Sequence, residues 1–82
     1  MSLPKIDLTT FFLSISSAAF MSMSGAEKNL DLARQNIDLL ELMQEKTRGN
    51  RTPDEDRLIE QLLFETRMKF VEAQNTATSG AK

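Results

Sequence analysis

The stretch from Asn29 to Val71, NLDLARQNIDLLELMQEKTRGNRTPDEDRLIEQLLFETRMKFV, is interrupted once, between Gly49 and Thr52, and that interruption constrains the fold most. Gly49 and Asn50 are residues that adopt the left-handed conformation closing a helix, and Lys46 and Arg48 put cations against the negative end of its dipole. Thr52, Pro53, Asp54 and Glu55 then combine a capping box, a proline at the first helical position and acids in the first turn. One helix stops and another starts within a few residues. The spacing predicts an antiparallel helical hairpin.

Each arm of the hairpin carries an apolar face. In the first arm Leu30, Ala33, Ile37 and Leu40 follow helical spacing, and Leu32, Leu39 and Met43 form a second apolar row beside them. Asp31, Arg34, Asp38, Glu41 and Glu45 occupy the other half, with Arg34 in reach of both aspartates. In the second arm Leu58, Ile59, Leu62, Leu63, Phe70 and Ala73 share a face around Thr66. Phe64, Met68 and Val71 point away from it, between Arg57, Glu60, Arg67 and Glu72. One hairpin cannot bury both sides of that helix, so the second stripe calls for another surface.

Ahead of the hairpin, no residue from Leu8 to Ala26 carries a charge. Pro4 disfavours helix at Leu3, so residues 1–7 read as a lead and Asp7 or Thr9 as the cap of a helix that follows. Along it Leu8, Phe11, Phe12, Ile15, Ala18 and Ala19 share one face, and Thr10, Ser14, Ser17 and Met21 the other. Ser24 to Glu27 form a break with an S-x-x-E box, placing the next helix start near Ala26. As a helix the uncharged run would be about 28 Å long, close to a bilayer core. It is rich in Ser and Thr, lacks a Trp or Tyr belt and has no basic cluster to orient it, all of which speak against insertion. As a cleaved signal peptide it is a poor match, with Lys5 its only basic start and Asp7 interrupting it. Burial inside a homo-oligomer is the favoured expectation.

The totals support that expectation. A chain of 82 residues is one small domain, and at this size apolar burial barely offsets ordering entropy unless disulfides, a metal or a second subunit help. Cysteine, histidine, tryptophan and tyrosine are all absent. Thiolate and imidazole chemistry are thereby excluded, and with them the usual nucleophiles, general bases and transition-metal ligands. Ten Lys and Arg against twelve Asp and Glu give a net charge of −2, which supplies no general attraction for nucleic acid or an anionic bilayer.

Carboxylates are the remaining ligand class. Glu41 with Glu45, and Asp56 with Glu60, stand one helical turn apart, a spacing that metal-dependent phosphohydrolases use, but the histidine of a di-iron site is missing. The more ordinary reading is a charged surface. Lys46, Arg48, Arg51 and Arg57 gather at the turn and could meet a phosphate, yet Glu45, Asp54, Glu55 and Asp56 interleave with them. A helix-turn-helix would need a basic, exposed second helix, and this one is acidic at its start. Met21, Met23, Met43 and Met68 could form an adaptable surface, although methionine at helical spacing is more often core.

The segments IDLLELMQEKTRGN and ETRMKFVE, together with DLTTFFLSISSAAF upstream, resemble a family of short bacterial proteins catalogued as domain of unknown function eighteen-forty-four. The resemblance spans Asp7 to Glu72 and implies a small, soluble, helical bacterial protein, placing the first apolar segment inside the domain. It implies no activity, ligand or site residue.

The expected fold is therefore all-α, an apolar first helix plus the antiparallel hairpin, completed by oligomerisation. Residues 8–74 form the domain, and 75–82 a disordered tail. No catalytic, cofactor or metal residue is expected, and the chain is read as a non-enzymatic, cytoplasmic interaction module or scaffold. Phe11, Phe12, Ile15, Phe20, Phe64, Met68 and Val71 are the expected interface, facing a second copy or an unidentified protein partner. Two alternatives stay open: a membrane-associated protein using helix 8–26, and a metal-dependent phosphohydrolase.

Overall fold

The computed structural model describes residues 7–25 and 28–80, with the side chains of the last helix described as far as Asn75. Three helices follow in order: α1, Leu8–Ser22; α2, Leu30–Lys46; and α3, Pro53–Gly80. Each packs against both others, and the described residues contain no strand. The all-α class with three helices holds.

Helix α1 starts where its cap allows. Asp7 accepts a 2.8 Å hydrogen bond from the Thr10 amide, supplying a partner to a first-turn donor that otherwise has none. The helix stops at Ser22, short of the end of the uncharged run, because Gly25 turns the chain in the left-handed region at φ +84°. Ser24 Oγ donates back to the Phe20 carbonyl at 2.9 Å, so it serves the end of α1 and not the start of α2. The expected helix start near Ala26 is corrected accordingly. Asn29 is the cap of α2, accepting from the Leu32 amide at 2.9 Å, while its own amide donates to the Ser22 carbonyl at 2.8 Å. Glu27, the acid of the expected box, lies outside the described residues, as do Pro4 and most of the lead.

The core is built from all three helices. Phe12, Ile15, Ala19 and Met23 meet Ala33, Ile37 and Leu40 of α2 and Ile59, Leu62, Leu63 and Ala73 of α3, with Phe20, Met43 and Phe70 packed against them. Alanines at 19 and 33 let helix backbones approach closely, so the cluster closes without large side chains at every position. Two hydroxyls sit inside it. Thr66 Oγ1 donates to the Leu62 carbonyl at 2.8 Å and Ser16 Oγ to the Leu13 carbonyl at 3.0 Å, so neither leaves an unsatisfied polar atom.

Phe12 and Ile15, expected on an intermolecular interface, are 0% and 5% exposed within a single chain. The reason is that α2 and α3 both pack on α1, which supplies the burial that self-association was expected to provide. Phe11 lies 100° around the helix from Phe12 and stays exposed, while Phe20 is half-buried. On α2 the second apolar row divides: Met43 packs on the core, but Leu32 and Leu39 face outward. Helix α3 also runs past Asn75 to Gly80, where a disordered tail was expected. Extending a helix already nucleated needs only one hydrogen bond per residue, and no proline interrupts this segment. Ala81 and Lys82 lie outside the described residues.

Two outcomes follow from this packing. Phe12→Ala removes a fully buried ring and should lower the unfolding free energy by about 3 to 5 kcal/mol, read as a fall in the urea midpoint at unchanged slope. The Asp7 carboxyl is held below the ordinary 3.8 by the Thr10 amide, with the Thr10 hydroxyl adding to it. A depressed folded value means the cap stabilises above the unfolded value and loses that effect as pH falls through the folded one. Asp7→Asn keeps a capping oxygen but cannot titrate, so its stability should fall less steeply than the wild type's between about pH 5 and pH 2, measured by urea titrations across that range.

Candidate interaction surfaces

The turn between α2 and α3 has the left-handed Gly49 and the capping box that the sequence predicts, though Asn50 does not take a left-handed φ, and one residue holds it. Gly49 takes φ +82°, and the Asn50 amide donates to the Thr47 carbonyl at 2.9 Å. Thr52 and Glu55 exchange bonds reciprocally, Thr52 N to Glu55 Oε1 at 2.7 Å and Glu55 N to Thr52 Oγ1 at 3.1 Å. Arg51 lies across this reversal. Its Nη1 donates to the Gln44 carbonyl at 2.5 Å and to Thr47 Oγ1 at 2.9 Å, and its Nε to Asp56 at 2.5 Å. One guanidinium thus joins the last turn of α2 to the first turn of α3, using the fork of donors that only arginine has.

That arrangement decides what the basic cluster at the turn can do. Arg48 pairs with Glu45 at 2.9 Å, Arg51 with Asp56 and Arg57 with Asp54. Three of the four cations are thus matched by in-chain carboxylates, which leaves little field for a phosphate. The carboxylate pairs are divided in the same way: Glu41 is bound by Arg67 of α3, Glu45 by Arg48 and Asp56 by Arg51. Among the described residues no group of three or more acidic side chains is placed to hold a metal ion. Arg34, expected to pair with Asp31 or Asp38, forms an ion pair with neither among the described residues.

What remains on the surface is apolar. Phe64, Met68 and Val71 are 64%, 57% and 51% exposed on the side of α3 opposite Ile59, Leu63 and Thr66. The helical period requires this, since positions 64, 68 and 71 lie well round the cylinder from the buried row. Their expected placement agrees with the structure. A second outward row on α2 comprises Leu32, Leu39 and Leu42, and Leu42 was not singled out in the sequence. Its signal was available, for Leu42 continues the row of Leu39 three residues on, but a run of apolar residues in α2 hides which ones face inward. On α1, Phe11 and Leu13 flank the buried stripe and Met21 is largely exposed. No described helix is long and apolar enough to cross a membrane, because α1 stops at Ser22 and spans only about 22 Å. The helix 8–26 expected as a candidate span is thereby corrected.

A family model described as "Domain of unknown function (DUF1844)" matches residues 5–72. No curated protein and no solved structure matches the chain.

Because Arg51 bridges three groups on both helices, Arg51→Ala should destabilise the fold by about 2 kcal/mol. Arg51→Lys should recover only part of that, since an ammonium cannot reproduce the fork. Thermal unfolding followed by circular dichroism separates the three proteins.

Proposed function

We propose that this chain, which belongs to the DUF1844 family, works as a self-associating protein-protein interaction module or small scaffold, without enzymatic activity of its own. One observation carries the reading: α3 fills the core with one face and presents Phe64, Met68 and Val71 to solvent on the other. Isolated apolar side chains are ordinary on a surface, but three in line on one helix, spaced four and three apart, form the seam that a second helix packs against. A second copy brings an identical seam and completes it by symmetry. Of the first-helix residues expected at the interface, Phe11 remains exposed and Phe20 is half-buried.

The absence of histidine and cysteine, and the pairing of carboxylates with arginines, support a binding role over catalysis. The place of action proposed is the bacterial cytoplasm, in keeping with helices too short or too charged to span a bilayer.

Light scattering after size exclusion tests the proposal. The wild type should run as a multiple of 9.3 kDa over a concentration series, and Phe64→Glu with Met68→Lys should run as the monomer with its helical spectrum retained. A wild-type monomer at every concentration, or an assembly that the double variant leaves unchanged, would remove this stripe from self-association.

A further inference from the structure

The outward face of α2 differs from that of α3 in its charges. Leu32, Gln35, Leu39, Leu42 and Lys46 recur at alternating spacings of three and four, which places them in one row along the helix. The three leucines are 45%, 37% and 50% exposed and span about 15 Å. Asp31, Asp38 and Glu45 run alongside at heptad spacing. The other flank holds Asn36 and Met43, neither of them charged. Asp31 and Asp38 form no ion pair among the described residues, and Glu45 pairs only with the exposed Arg48. An apolar strip about three turns long thus lies beside a row of acids, and Lys46 closes its C-terminal end.

A second copy does not fit this strip. An antiparallel pairing of two α2 helices sets Asp38 against its own symmetry mate and Asp31 against Glu45, bringing acids together along the whole flank. A parallel pairing sets Lys46 against Lys46 at the end of the seam. Like charges so placed oppose association in both directions. A helix that matches the face has apolar residues at the seam positions and Lys or Arg on the flank that meets the acidic row.

We propose that the Leu32, Leu39, Leu42 face of α2 docks a short, basic amphipathic helix of a partner protein, about three to four turns long. This rests on the reading of the chain as an interaction module and not on self-association through α3. The two faces divide the work: α3 pairs like with like, and α2 takes a different chain.

The test uses the full chain and a synthetic helical peptide of about four turns, with Leu at seam spacing and Lys on one flank. Two controls replace its Lys by Glu, or its Leu by Ser. Titration into isotopically labelled protein should shift the amide resonances of α2 between Leu32 and Lys46. Affinity by calorimetry should fall by about fivefold or more in Asp31→Asn with Asp38→Asn, fall again with added salt, and be lost in Leu39→Ser with Leu42→Ser. Those substitutions are on exposed positions, and an unchanged circular dichroism spectrum verifies the fold. Phe64→Glu with Met68→Lys should leave peptide affinity unaltered, so failure of the α3 assembly and failure of this site are read separately.

Equal binding of the Glu peptide, shifts that map to α3, or affinity indifferent to the two aspartates would overturn the proposal. So would absence of binding at millimolar peptide. Retention on neutral phosphatidylcholine vesicles, lost in Leu39→Ser with Leu42→Ser, would assign the face to a lipid surface instead and overturn it as well.

Discussion

Burial of Phe12 by the chain itself is the contact on which the rest of the structure depends. The uncharged first segment cannot remain in water, and α2 and α3 together cover its face of Phe12, Ile15, Ser16 and Ala19. Met23, just past the helix, joins them as the link to α2 begins. With that face covered, the chain has a core of its own and need not borrow one from another copy. In a chain of 82 residues, where apolar burial is scarce, the first helix adds its face to a core shared by all three.

The reversal at Gly49 to Thr52 makes the covering possible. Gly49 supplies the left-handed turn, Thr52 and Glu55 complete the start of α3, and Arg51 fastens both sides by three hydrogen bonds. Of the cations that look like a ligand site in the sequence, Arg51 is part of the joint, and Arg48 and Arg57 are matched by Glu45 and Asp54 beside them. The Glu41 and Arg67 pair acts further along the same two helices. Exposed pairs of this kind add little stability individually, but they remove free charge from the surface.

Once the core is closed, what distinguishes the molecule is what it leaves outside. Two helices that contribute to the core also carry leucine, phenylalanine, methionine and valine outward in rows, which a chain selected only for folding would replace with polar residues. The rows differ in their surroundings. Arg57, Glu60, Arg67 and Glu72 give the α3 row both signs of charge, while the flank of the α2 row is acidic. In the proposed reading the apolar rows supply the tendency to associate, and the charges beside them select the partner.

Much of this was legible in the sequence. Gly49, the Thr52 to Glu55 box, the inward row of α3 and the outward Phe64, Met68 and Val71 are all set by local chemistry or helical period, which act over a few residues and need no knowledge of the fold. Asp7 was legible as a cap for the same reason. The misreadings of which face is covered share one cause. Whether Phe12 faced its own chain or another, whether Leu39 pointed in or out, and whether Arg51 was a ligand or a clip depend on which helices lie beside them. An apolar stripe states only that it must be covered. The sequence by itself determined three helices, the caps at Asp7 and Thr52 and the periodicity of their faces, because hydrogen bonding and periodicity are local; only the tertiary structure decided what covers each face, because burial and ion pairing are settled between segments far apart in the chain.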